Sequence, residues 1–205
     1  MTKPSRPTEI SDEAPPALER HALENLRYIR RTMEGAGAFT AASGVGQVAI
    51  GATALVATWL AMRQPNRAAW FGVWLAEAGI AVAIALIAMV IKARRSNVPL
   101  ASEPARRFAA SFAWPMLAGV ALTAAFARSR AFEFMTPSWL LLFGAAVAAG
   151  GTFSVRPVRL MGMAFLILGL ASLVAGPALD HWMLAIGFGG LLLGFGVHIA
   201  WRHGG

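Results

Sequence analysis

The chain has no cysteine and a single tyrosine, and charged residues make up only 14% of its 205 residues. Without cysteine, the protein has no disulfide bonds, thiolate metal ligands or thiol nucleophiles. A soluble domain usually carries about 25% charged residues. Here the hydrophobic share is 57%, with a large amount of Ala, Gly, Leu and Val. The composition therefore indicates a membrane protein.

Grouped catalytic residues are also missing from the sequence. There is no Walker lysine, no His-Glu-x-x-His zinc motif and no Ser-His-Asp grouping. Two histidines, His181 and His198, fall on one predicted helix about 25 Å apart, which is too far to ligate one haem iron. We therefore expect no enzyme activity, no metal site and no cofactor.

Six long apolar runs take the place of the missing charge. Each has about 20 residues, enough for a helix to cross a hydrocarbon core of about 30 Å. Runs joined by such short polar loops satisfy their backbone groups as helices. The sequence predicts an all-α integral membrane protein, with six transmembrane helices arranged as three hairpins. The predicted spans are residues 38–62, 68–91, 108–127, 134–155, 158–179 and 182–201.

Two segments precede the transmembrane domain, which we place at residues 35–203. Residues 1–16 are polar and proline-rich, and are expected to be disordered. Residues 17–34 are predicted to form a cytoplasmic amphipathic helix that lies on anionic lipid of the inner leaflet. A docking helix for a partner is the alternative for this segment. Its apolar face consists of Leu18, Ala22, Leu26, Ile29 and Met33.

The distribution of basic residues predicts the orientation. Fourteen of the eighteen Lys and Arg residues fall in the N-terminal segment, the second and fourth connections and the C-terminus. This bias predicts that both termini are cytoplasmic. It also explains the net charge of +8 without a nucleic-acid partner. Arg outnumbers Lys sixteen to two, which suggests a GC-rich bacterial genome and hence a bacterial cytoplasmic (inner) membrane.

A Trp-x4-Gly frame opens the second, fourth and sixth spans, at residues 74–79, 139–144 and 182–187. The first and fifth spans also resemble each other, at residues 51–57 and 169–175. One interpretation is a hairpin present three times. The other is that Trp at membrane interfaces and Gly within spans are common in any membrane protein.

These Gly and Trp positions resemble the small six-span bacterial membrane proteins of the HdeD acid-resistance type, which have short Gly-centred hairpin repeats. The resemblance covers the spans and not the amphipathic segment. It implies a six-helix architecture in the bacterial inner membrane. It implies no catalytic residues, because that group has none established.

Glu77 is the only acidic residue inside a predicted span. Ionisable groups at membrane depth are costly and often functional. Helix geometry places Gln47 and Thr53 of the first span within reach of Glu77 across the first hairpin. The group is either a proton or cation relay, or a carboxyl kept neutral by its apolar surroundings and bonded to a neighbouring helix.

Three further polar residues and a glycine face are candidates. His198 lies inside the last span. Asp180 and His181 precede that span at the predicted outer face, where they form either a pH-sensing pair or a helix start with Asp180 as N-cap. A smooth helix face for close packing, within the chain or between copies, is formed by Gly187, Gly190 and Gly194.

Two functions remain open from the sequence. The first is a non-enzymatic accessory, stress-response or scaffold component of the membrane, with a homo-oligomeric or membrane-protein partner. The second is a small proton- or cation-coupled transporter or channel that uses Glu77. Transporters usually break their helices at the midplane and line a cavity with polar groups. The dry spans of this chain favour the first function.

Overall fold

A computed structural model describes residues 43–96 and 103–203, together with His21 and residues 24–26. In these ranges the chain is helical and has no strand. Six of its helices are long and apolar enough to cross a membrane. The helices are α1 (Gly44–Ala61), α2 (Arg67–Ser96), α3 (Glu103–Ser129), α4 (Met135–Gly151), α5 (Arg156–Ala175) and α6, which runs from Asp180 to His203. The protein is therefore an all-α, multi-pass membrane protein.

Local sequence sets where these helices begin and end. The hydroxyl of Ser43 accepts a hydrogen bond from the backbone nitrogen of Gly46 at 3.3 Å and caps α1. The side chain of Asn66 accepts from the backbone of Ala69 at 2.8 Å and caps α2 in the same way. Beyond α5, Gly176 has a φ of +73°, a conformation that suits glycine because it has no Cβ.

The predicted disordered segment 1–16 lies outside the described residues. Most of the predicted amphipathic helix 17–34 does too. Its described residues, His21 and Glu24–Leu26, are helical and exposed, and the imidazole of His21 lies 3.8 Å from the carboxylate of Glu24.

The last helix, α6, is not regular. It starts with α-helical Asp180–Leu184, continues through a π-helical segment at Ala185–Leu191, and ends with α-helical Leu192–His203. The sequence predicted a single regular helix over 182–201. Because π segments depend on local packing as much as on composition, apolar periodicity gives no warning of them.

The six helices pack as a bundle. α1 packs between α2 and α6, and α4 packs between α3 and α5. The predicted hairpin of the fifth and sixth helices is not the main contact of either one, because α5 packs chiefly on α4 and α6 chiefly on α1.

Glycines seven residues apart set the closest contact between α1 and α6. A methyl group built on Gly44 would lie 2.4 Å from the backbone nitrogen of Ala200, and one on Gly196 would lie 2.9 Å from that of Val48. The same geometry holds for Gly51 and Gly189, whose methyl groups would overlap leucine side chains of the facing helix. Here the helix backbones approach each other as in other small-residue membrane contacts.

The contact between α4 and α5 uses the same spacing. Gly144 and Gly151 of α4 face Gly162 and Gly169 of α5, and a methyl group on any of the four would lie within 3 Å of the facing helix. Two pairs of helices, α1 with α6 and α4 with α5, thus pack through glycines seven residues apart.

Aromatic rings join these two pairs. Phe188, inside the π-helical segment, lies 5.4 Å from the ring of Phe165 on α5 and 5.2 Å from that of Phe143 on α4. On its other side, Phe188 lies 6.3 Å from Trp74 of α2. Aromatic pairs at such distances stabilise packing beyond the area they bury.

Two helices, α2 and α3, expose most of their apolar side chains. Leu75, Ile87 and Val120 are all more than half exposed. Apolar surface of this length belongs in a lipid bilayer.

Candidate functional site

Glu77 is buried on the face of α2 that meets α1. Trp70, Trp74 and Glu77 are spaced three to four residues apart and form the buried stripe of this helix. Oε1 of Glu77 lies 2.8 Å from Oγ1 of Thr53 on α1. The structure therefore confirms that Thr53 reaches Glu77 across the first pair of helices.

The hydroxyl of Thr53 also lies 2.9 Å from the carbonyl oxygen of Ile50. A hydroxyl has one proton to donate and can accept as well, whereas a backbone carbonyl only accepts. The single hydroxyl proton of Thr53 is thus shared between Oε1 of Glu77 on α2 and the carbonyl oxygen of Ile50 on its own helix. The geometry is that of a hydrogen-bonded structural carboxyl, with α1 supplying its partner.

Gln47 does not join Glu77. Its Cβ lies against Gly196 of α6, 3.0 Å from where a methyl group on that glycine would be. The side chain is buried and its Oε1 has no hydrogen-bond partner among the described residues. Gln47 thus occupies the α1–α6 contact, because an offset of six residues, at about 100° each, turns it about 120° away from Thr53 around the helix.

His198 lies on the exposed surface of α6, beside Val197, which is 41% exposed. His198 is therefore not part of the site around Glu77.

Asp180 is the most buried acidic side chain among the described residues, with 1% of its surface exposed. Its Oδ2 accepts a hydrogen bond from Nη1 of Arg67 at 2.8 Å, and the pair forms a salt bridge. Arg67 also donates from Nη2 to the carbonyl oxygen of Pro177 at 3.2 Å. The first residue of α2 thus fixes the connection between α5 and α6.

This ion pair corrects the expectation that Asp180 is an N-cap. The helix begins at Asp180 itself, after Leu179, and no side chain caps it. The carboxylate is turned towards Arg67, whose charge stabilises it more than a backbone amide does.

Three polar side chains surround the ion pair. The ring of Trp70 lies 5.5 Å from the Arg67 guanidinium and meets the His181 ring edge-on at 6.5 Å. The hydroxyl of Thr136, on α4, lies beside the Asp180 carboxyl but makes no hydrogen bond of acceptable geometry. We call these five residues, Arg67, Trp70, Thr136, Asp180 and His181, the Arg67 cluster.

Sequence reasoning found Asp180 and His181 but missed the other members of the Arg67 cluster. Arg67 was counted only as a loop charge. Arg67 and Asp180 are the first residues of two helices that begin at the same end of the bundle, which is a signal that they could meet. The sequence alone does not pair them, because they are 113 positions apart.

Only one of the three predicted packing glycines is used inside the chain. Gly187 is buried, and a methyl group on it would lie 2.6 Å from Leu140. Gly190 and Gly194 are exposed, and a methyl group on either would meet no other helix within 4 Å. Within the chain these two glycines pack against no other helix, and packing between copies stays the prediction for them. The π-helical segment alters the register of the face, so that Gly189 and Gly196 meet α1 instead.

No group of three or more His, Cys, Asp or Glu side chains suited to a metal ion occurs among residues 43–96 and 103–203. Comparisons of the chain with protein-family models, curated proteins and solved structures gave no match.

Proposed function

We propose that the protein is a non-enzymatic accessory or scaffold component of the bacterial cytoplasmic membrane, with both termini in the cytoplasm, that holds a further membrane helix against α2. The observation that carries this proposal is a bare pair of glycines, Gly72 and Gly79. A methyl group on either would meet nothing within 4 Å.

The spacing of this pair is that of the glycine contacts inside the bundle. Gly44 and Gly51 are seven residues apart, as are Gly189 and Gly196, and each of these pairs seats a neighbouring helix. Gly72 and Gly79 repeat the spacing on the exposed side of α2.

The surface around the bare glycines has the form of a groove. Ala76 and Ala83 continue the small stripe along the helix, and both are exposed. Leu75 and Leu86 rise beside it, with 54% and 58% of their surfaces exposed. Small residues that let two backbones approach are a principal means of helix association in membranes.

The state of Glu77 supports a structural role over transport. Its carboxyl is bonded to Thr53 and is buried between two helices, and it belongs to no group of three or more His, Cys, Asp or Glu side chains among the described residues. The hydrogen bond makes the α1–α2 pair a firm base for the exposed face of α2. A stress-response role, as the HdeD-type resemblance implies, is one setting in which such a scaffold would act.

Disulfide cross-linking tests the proposal directly, because the chain has no cysteine of its own. The variant Ala76→Cys, expressed in native membranes, should form a disulfide with a second copy if the partner is the protein itself. A photoreactive residue at the same position should capture a different membrane protein if it is not. A cysteine at Val120 on α3, which is 66% exposed, reports random collision.

The matched variant is Gly79→Leu. Nothing lies near Gly79, so this variant should fold and melt like the wild type while its cross-link is lost. Cross-linking at Ala76 no stronger than at Val120, or a cross-link that Gly79→Leu leaves intact, would contradict the proposal.

A proton- or cation-coupled transporter is the second candidate. It is favoured by one observation, the burial of Glu77 inside a membrane-spanning helix, because such groups often serve ion pathways. Flux through reconstituted protein separates the two functions, as set out in the Discussion.

A further inference from the structure

We propose that the Arg67 cluster encloses a binding site for ordered water, which completes the joint between α2, α4 and α6. The observation is a group of three buried polar atoms without a hydrogen-bond partner in the described residues. They are Nε1 of Trp70, Oγ1 of Thr136 and Nδ1 of His181.

These atoms belong to one contiguous cluster. Trp70 contacts both Arg67 and His181, and Thr136 lies beside the carboxyl that Arg67 binds. On α4, one turn beyond Thr136, the ring of Trp139 stacks on Trp70 at 5.8 Å with an angle of 7° between the planes. The three residues that carry the unpartnered atoms therefore lie next to the ion pair.

Buried polar groups in folded proteins are almost always hydrogen-bonded, to protein or to ordered water. Trp70 is 2% exposed and Thr136 is fully buried, so bulk solvent does not reach their polar atoms. A single such atom is an exception that proteins tolerate. Three around one ion pair form a set that needs a shared partner.

Water fits the chemistry of the set. An indole N–H only donates, a carboxylate only accepts, and a hydroxyl does both. A water molecule has two protons and two lone pairs, and buried waters typically make about three hydrogen bonds. It can accept from Trp70 and donate to Asp180, with Thr136 as a further partner. A larger charged solute does not fit this chemistry, because the cation Arg67 and the anion Asp180 are already paired with each other.

The ion pair itself connects this site to the aqueous phase. The side chain of Arg67 is 39% exposed, whereas that of Asp180 is 2% exposed. The guanidinium thus extends from the surface of the protein to the buried carboxylate.

Radiolytic hydroxyl-radical labelling tests the site, because radicals formed from bound water modify side chains beside it even when these are buried. Trp70 should be labelled several-fold more than Trp74, a second buried tryptophan of α2 whose Nε1 also has no partner among the described residues but whose ring lies beside Phe188 and outside the Arg67 cluster. Thr136→Val, which keeps the shape and removes the hydroxyl, should reduce the labelling of Trp70 and leave that of Trp74 unchanged.

Thermal unfolding in detergent gives a second test, because the change in Tm caused by Thr136→Val differs between a site that holds water and a site that does not. If the site is wet, Thr136→Val removes a partner of the water and should lower Tm by about 2–4 °C. If it is dry, the same change removes an unsatisfied hydroxyl and should raise Tm or leave it unaltered.

The control for side-chain shape is Thr58→Val. Thr58 is also buried, but its hydroxyl donates to the carbonyl oxygen of Ala54 at 2.9 Å and lies outside the cluster. Its variant should not alter the labelling of Trp70. The proposal requires both results. Equal labelling of the two tryptophans, or a Tm that does not fall in Thr136→Val, overturns it.

Discussion

Thr53 of α1 and Glu77 of α2 are joined by a contact of 2.8 Å between hydroxyl and carboxyl. The two residues lie 24 positions apart, on helices connected by a short turn. The contact ties the only acidic group of the predicted spans to the neighbouring helix, and it makes the role of that group testable.

Glu77→Gln should keep the stability of the protein close to that of the wild type, because the amide oxygen of Gln can accept a hydrogen bond from Thr53 as the Glu77 carboxyl does. Glu77→Leu should lower the free energy of unfolding by about 1–2 kcal/mol, since it strands the hydroxyl partner. Thermal unfolding of both variants in detergent measures the difference.

The same pair of variants decides between scaffold and transporter. We expect no proton or cation flux through liposomes that contain the wild-type protein. A wild-type flux that is lost in Glu77→Gln, with the fold preserved, would establish the transporter and overturn the proposed structural role of this residue.

Gly44→Ala should destabilise the protein by about 1–3 kcal/mol, the usual cost of overpacking a close contact. The new methyl group would lie 2.4 Å from a backbone nitrogen of α6, which has no room to yield. Gly194→Ala is the matched control. It meets nothing and should gain about 0.5–1 kcal/mol from the better helix propensity of Ala. Equal melting temperatures for the two variants would show that the α1–α6 contact is looser than described.

Arg67→Gln should be more harmful than the double variant Arg67→Gln with Asp180→Asn. Removing one partner of a buried ion pair costs about 3–5 kcal/mol because it leaves an unpaired buried charge. The partial exposure of Arg67 reduces this effect. In the double variant no charge remains to be buried. A double-mutant cycle of unfolding free energies checks the order, and additive losses would contradict it.

Reporter fusions test the orientation that the basic residues predict. A fusion after residue 66 should read periplasmic, and a fusion after residue 97 should read cytoplasmic. The reason is the concentration of Lys and Arg in connections predicted to be internal. The opposite pattern would place both termini outside.

The presence of six membrane-spanning helices could be predicted from the sequence because each apolar run is long enough to cross the bilayer. The helix ends were less certain. α2 continues to Ser96 and α3 begins at Glu103, several residues beyond the predicted spans, since polar residues extend a helix past the apolar region without changing its hydropathy signal.

The pairing of helices could not be predicted. A glycine indicates that something comes close, but it carries no information about which helix does. The closest contacts of α1 are with α6, at the other end of the chain. For the same reason Gln47 was assigned to Glu77, because helix depth was known and helix rotation was not.

The candidate site was predicted in part. Thr53 could be assigned because short hairpins bring neighbouring spans together at matching depths. The Arg67–Asp180 pair could not, because it depends on how α2 and α6 meet. Thr136 and Trp70 show no chemical signal until that meeting places them beside the carboxylate.

The π-helical segment Ala185–Leu191 gives α6 a place that can lose one residue. Its wider turn presents Gly187 towards α4 and α5, and Gly189 and Gly196 lie against α1. Because a π-helical turn holds one residue more than an α-helical turn, deleting one residue within the segment should restore an ordinary α-helix and keep Gly196 on α1. Deleting one residue in the α-helical part that follows, between Leu192 and Gly196, should instead rotate everything beyond by about 100° and turn Gly196 away from α1.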